Sequence, residues 1–115
     1  MGKEYNLEDR TEEFAKNVLK LCKKLIKNTI NIELIKQLVR ASCSVGANYI
    51  EANEALSKKD FYHRMKICRK EVKEARYWLK LINSANDNIE KEIDVFIGEA
   101  TELMNIFGAI VRKAS

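Results

Sequence analysis

The stretch FYHRMKICRKEVKEARYWLKLI (residues 61–82) decides the fold. Its apolar residues Phe61, Met65, Cys68, Val72, Ala75, Leu79 and Ile82 recur in unbroken four-three alternation. That spacing holds one stripe of side chains on one side of an α-helix and lacks the period of two that a half-buried strand needs. Downstream, Ile89, Ile93, Phe96, Ala100, Leu103, Phe107 and Ile110 repeat the rhythm. Upstream, Ile35, Leu38, Ser42, Val45, Tyr49 and Ala52 form a third stripe, and Leu7, Phe14, Val18, Leu21 and Leu25 a fourth. Composition agrees. The 115 residues include no proline and only four glycines, which excludes a sandwich or barrel whose turns depend on both. At 46% hydrophobic the chain is too apolar for a disordered tail, and its length suits one domain.

Breakers between the stripes place four helices at roughly residues 7–28, 32–55, 58–83 and 88–112. Asn6 is the expected N-cap of the first and Asn28 its stop; Asn31 caps the second, with Ile30 and Ile35 as a hydrophobic staple. Ser57 and Asp60 form a capping box for the third, with Leu56 and Phe61 as its staple, and Asp87 or Asn88 caps the fourth. Loops this short between long helices predict an all-α, up-down-up-down antiparallel four-helix bundle. The small residues Ala41, Ser42, Ser44, Gly46 and Ala47 let a neighbouring backbone approach the second helix closely.

The opening residues Met1–Tyr5 are polar and no apolar run follows them, so neither a signal peptide nor a membrane span is expected and the reading is cytoplasmic. Cys22, Cys43 and Cys68 show no paired spacing and read as buried thiols. His63 is the lone histidine, so a di-iron centre built on Glu-x-x-His pairs is excluded, and its position falls on the outward face of its helix. Glu51 and Glu54 share a face, but no nucleophile, phosphate loop or metal-ligand spacing accompanies them. No enzyme, metal or cofactor is expected.

Charge is more informative. Residues 58–80 hold nine basic and three acidic side chains, whereas residues 87–113 hold six acidic and three basic. Within the basic segment Lys59, Tyr62, Lys66, Arg69, Lys73, Arg76 and Lys80 follow three-four spacing and form a second stripe beside the apolar one. Lys16, Lys20, Lys23 and Lys27 line the outer face of the first helix. Such rows suit the closely spaced phosphates of RNA or DNA. The alternative is that Arg69 and Arg76 pair with Glu92 and Glu99 of the fourth helix, within or between chains. Ile67, Trp78, Ile97, Met104 and Val111 fall beside the apolar seams and are the candidate contacts of a homo-oligomer.

The segment Ser44-Val45-Gly46-Ala47-Asn48-Tyr49-Ile50-Glu51-Ala52 is followed by Ser57-Lys58-Lys59-Asp60-Phe61, Lys70-Glu71 and Tyr77-Trp78-Leu79. Together they resemble the bacterial four-helix-bundle proteins named for the 23S rRNA intervening sequence. The same grouping takes in the accessory variability determinant of diversity-generating retroelements. The resemblance runs from about Leu7 to Val111. It implies a cytoplasmic bundle that often assembles as a homopentamer around a central channel, and, from the retroelement relative, a basic surface that binds nucleic acid and a reverse transcriptase. The function expected is that of a non-enzymatic oligomeric bundle that grips RNA or DNA backbone, as an accessory to a reverse transcriptase or RNA-linked element. The alternative is a purely structural scaffold for protein–protein contacts.

Overall fold

In the computed structural model, residues 6–115 are described and form α1 (Leu7–Lys24), α2 (Thr29–Asn53), α3 (Lys58–Ala85) and α4 (Glu90–Ala114), with no strand among them. The polar opening Met1–Tyr5 lies outside the described residues. Two of the expected caps form. The Asn6 side chain accepts the Asp9 N–H at 2.8 Å, and Ser57 accepts the Asp60 N–H at 3.0 Å, so each satisfies a donor the helix leaves open.

The remaining ends differ from the sequence reading for local reasons. α1 stops at Lys24, where Leu25 turns extended. Lys27 then folds back, donating to the carbonyls of Cys22 at 2.8 Å and Leu25 at 2.6 Å, which brings positive charge to the negative end of the helix. Asn28 is therefore not a stop. It is the N-cap of α2, accepting the Asn31 N–H at 2.8 Å. Neither staple forms, because Ile30 is 63% exposed and Leu56 is 99% exposed. α4 starts without a side-chain cap at Ile89; Asn88 instead takes a left-handed φ of 65°, which asparagine tolerates better than most side chains. Glu90 and Glu92 supply favourable charge to that first turn.

Cross-helix contacts fix the directions. Arg10 meets Glu99 and Glu102 while Lys24 meets Glu92, so α1 and α4 run antiparallel. Arg40 meets Glu71 and Glu74 while Asn48 meets Arg64, so α2 and α3 do the same. α3 packs against α2 and α4, α1 packs against α2 and more loosely against α4, and α1 and α3 stand diagonally opposed. The core is the predicted set of seams. Val18, Leu38, Val45, Cys68, Val72, Leu79, Ile82, Ile93, Leu103 and Phe107 are closed to solvent. Each large apolar side chain among them contributes about 1.5–3 kcal/mol by leaving water.

Two polar details shape this core. Gly46 lets α1 come so close that a Cβ there would sit 3.0 Å from the Thr11 hydroxyl oxygen, and that hydroxyl is held by the Leu7 carbonyl at 2.7 Å. At the end of the bundle where α1 meets α2 and α3 meets α4, Asn31 and Asn86 exchange two hydrogen bonds, each 2.9 Å. Their remaining amide hydrogens go to the carbonyls of Ile26 and Ile82, also at 2.9 Å. Asn31 is fully buried, so satisfied amides tie the loops between helices together beside the apolar packing of Leu25 and Ile89.

Candidate nucleic-acid interface

α3 sets the site because its apolar seam uses only one side of the helix. Lys59, Lys66, Lys73 and Lys80 are exposed on the other side, and Tyr62, Arg69 and Arg76 stand half-buried along its edge. The Lys66 ammonium lies 5.1 Å from the centroid of the Tyr62 ring, within cation–π distance. An open groove of about 680 Å³ runs along this outer surface, walled by His63, Lys66, Arg69, Lys70 and Lys73. Ile67 and Tyr77 are its apolar lining residues, and Glu74 is its one acidic lining residue.

What makes this surface positive is where the acids go. Glu99 and Glu102 are taken by Arg10, which bonds Glu99 through two nitrogens at 2.7 and 2.8 Å and Glu102 at 2.9 Å. These contacts, the Glu99 hydrogen bond first, hold the Arg10 guanidinium even more firmly charged than usual. Glu92 is taken by Lys24. Glu71 and Glu74 of α3 itself are taken by Arg40 of α2. The expected pairing of Arg69 and Arg76 with Glu92 and Glu99 therefore does not occur within the chain. Those glutamates lie on the flank of α4 that faces α1, while Gly108, on the opposite flank, lies under Arg69. Among the described residues no carboxylate lies within ion-pair distance of Arg69, Arg76, Lys66 or Lys73. Arg76 goes further, since its Nε is buried with no hydrogen-bond partner among the described residues.

The α1 lysines do not join this surface. α1 is diagonal to α3, so Lys16, Lys20, Lys23 and Lys27 stand on the far side of the bundle. Lys16 pairs with Glu12 at 2.7 Å, which raises its pKa through that hydrogen bond, and Lys27 is spent on carbonyls of its own loop. Conversely, Lys70 and Arg112 belong to or border the basic surface and were missing from the stripe. Three-four spacing on α3 skips Lys70, and only the antiparallel register of α3 and α4 brings Arg112 near.

The apolar candidates are also redistributed. Val111 is a core residue at 7% exposure, so it is closed off as a contact. Trp78, Ile97 and Met104 are half-buried against the core, with the Trp78 Nε1 buried and unpartnered, and Ile67 is half-buried in the α3 groove. The apolar side chains most open to water are Ile26, Ile30, Ile50, Leu56, Tyr77 and Val95. Among the thiols, Cys22 and Cys68 are buried, and burial pushes them up to about 11 and about 12. Cys43 is exposed, contrary to the reading of three buried thiols, because it lies on the rim of the α1–α2 seam beside Ala47 and Ile50. No group of three or more His, Cys, Asp or Glu among the described residues is placed to hold a metal, and no described helix is long and apolar enough to cross a membrane.

The quoted motif proves to be largely architectural. Val45 is core, Gly46 admits α1, Asn48 accepts the Arg64 guanidinium at 3.0 Å, and the Tyr49 ring meets Phe107 at 6.1 Å. The fold and surface define a small all-α bundle protein with one helix face given over to positive charge. The 23S rRNA-intervening sequence protein family matches residues 3–109, and the chain belongs to that family. A similar solved structure is that of a protein with unknown function from the S23 ribosomal protein family of Bacteroides thetaiotaomicron. It is 29% identical, superposes with a TM-score of 0.84, and the match covers 92% of this chain and 98% of that one. No curated protein matches the chain.

Proposed function

We propose that the chain is a non-enzymatic bundle protein that binds the phosphate backbone of nucleic acid along the outer face of α3. The observation that carries this reading is the sorting of charge: α1 and α2 consume the nearby acids, and among the described residues Lys66, Arg69, Lys73 and Arg76 are left with no carboxylate. Phosphates that replace the counterions of such a row gain affinity that falls steeply with salt. The test is an anisotropy titration of structured RNA and of duplex DNA over a range of salt, comparing the native chain with Lys66→Glu/Lys73→Glu. The double variant should weaken binding to all sequences alike, because backbone contacts carry no base information. Binding indifferent to both salt and the substitutions would remove the proposal.

A second reading, a self-associating scaffold, is supported by the apolar side chains left open along the α1–α2 seam. Leu19, Ile26, Ile32 and Ile50 are each between 39% and 72% exposed there, a pattern that often marks an interface. Light scattering is the test. A mass near 13.3 kDa at micromolar concentration would exclude it, and a mass of five copies is what the family resemblance implies.

A further inference from the structure

α4 carries a glycine, Gly108, where it packs against α3, and that bare position gathers two arginines. A Cβ on Gly108 would lie 3.8 Å from Cδ of Arg69 and 3.5 Å from Nη1 of Arg112. The side chains of Arg69 from α3 and Arg112 from the last turn of α4 therefore converge over one patch of helix, and Gly108 is buried beneath them.

Like charges brought together repel, and a folded chain relieves this by placing a carboxylate between them. Elsewhere in the bundle the partly buried arginines are neutralised, Arg10 and Arg40 each by two carboxylates. Arg69 and Arg112 have none among the described residues, because Glu99 and Glu102 are turned to the opposite flank of α4. On α3, Lys66 stands one turn before Arg69 and Lys73 one turn after, both exposed. The positive charge thus continues to either side of the pair.

We infer that Arg69 and Arg112 form a two-guanidinium clamp for one phosphodiester group of a nucleic-acid backbone, with Lys66 and Lys73 meeting the phosphates beside it. This rests on the reading of α3 as a phosphate-binding face. Guanidinium presents a rigid fork of donors that matches phosphate oxygens two at a time, whereas lysine acts as a point charge on a flexible stem. A clamp drawn from two helices fixes where the backbone crosses the bundle, at the α3–α4 seam. A row of lysines on one helix sets only a direction. Gly108 is the floor on which the two side chains meet, since a Cβ there would touch both at ordinary contact distances of 3.5 and 3.8 Å.

Fluorescence anisotropy with a labelled RNA duplex and the matching DNA duplex tests the clamp, and the two arms tell which backbone supplies the phosphate. Arg69→Gln and Arg112→Gln are each expected to weaken binding about tenfold and to lower the salt slope by about one. Their combination should lose little more than either alone, because one fork without the other no longer grips. Arg112→Lys keeps the charge and loses the fork, so it should recover only part of the affinity. Glutamine is a good helix former, so circular dichroism should show the bundle retained in each variant. Full affinity of Arg112→Gln beside lost affinity of Lys66→Glu/Lys73→Glu would overturn the clamp and leave the basic face standing. Strictly additive losses would also overturn it, as they describe two separate contacts. Full affinity of Lys66→Glu/Lys73→Glu would remove the basic-face reading, and the clamp with it.

Discussion

Replacing Asn31 by leucine keeps the branching of the side chain and deletes its chemistry. Three hydrogen bonds vanish: the two that Asn31 donates to Asn86 and to the Ile26 carbonyl, and the one it accepts from Asn86. Asn86 keeps its bond to the Ile82 carbonyl but is left with an unpaired carbonyl oxygen and one unpaired amide hydrogen in a half-buried position. Leaving such groups unsatisfied costs about 1–3 kcal/mol each when water is fully excluded, and partial access at Asn86 brings the expected loss to about 2–3 kcal/mol. For a domain of this length that corresponds to a fall in Tm of about 8–12 °C. Asn31→Leu/Asn86→Leu removes both partners together, so the double variant should be more stable than the sum of the two single losses predicts. Urea denaturation of all four proteins, followed by circular dichroism, closes the cycle. The expected coupling is at least about 1 kcal/mol. Losses that add to within about 0.3–0.5 kcal/mol would show that the amides do not act as a unit and would refute the reasoning.

Two glycines should respond with opposite signs. Gly98→Ala meets nothing within 4 Å and should gain about 0.5–1 kcal/mol from helix propensity, whereas Gly46→Ala meets Thr11 Oγ1 at 3.0 Å and should lose about 1 kcal/mol net despite the same propensity gain. Thermal denaturation of the pair decides it. A thiol-reactive disulfide reagent should modify Cys43 alone in the native protein, and Cys22 and Cys68 only after denaturant is added. The buried thiols also give stability a pH dependence. Burial raises Cys22 from 9.0 to about 11 and Cys68 from 9.0 to about 12, so between those values the folded chain binds more protons than the unfolded one. Their contribution is full below about pH 9 and is lost as pH climbs through 11 to 12; Cys22→Ala/Cys68→Ala should flatten the stability profile in that window.

The four seams were legible because an apolar stripe at helical spacing has one meaning over this many turns, and Phe61 to Ile82 states it without interruption. Helix ends were less legible because asparagine serves several purposes. Asn28, Asn31, Asn86 and Asn88 are one residue type in a cap, a buried amide pair and a left-handed turn, and only the tertiary partner tells them apart. Asn31 reads as a cap from its neighbours. It is buried because Asn86, fifty-five residues away, answers it. The basic stripe on α3 was readable from spacing, but its lack of acidic partners was not, since that depends on which flank of α4 faces α1.

That choice of flank has a physical origin. An antiparallel bundle of four helices gives each helix two neighbours and one diagonal, so the two flanks of a seam see different partners. On α4 the acids Glu92, Glu99 and Glu102 occupy one flank, and the small or apolar residues Ile97, Met104 and Gly108 occupy the other. α1 brings Arg10 and Lys24, near its two ends, to the first flank and packs only loosely on α4, so these ion pairs are the polar tie between the two helices. α3 brings Arg69 and Arg76 to the second flank, where their stems can pack and no carboxylate among the described residues pairs with them. α1 therefore does two jobs. It closes the bundle, and by neutralising the acidic flank of α4 it keeps negative charge away from the basic face of α3 on which the proposed phosphate binding rests.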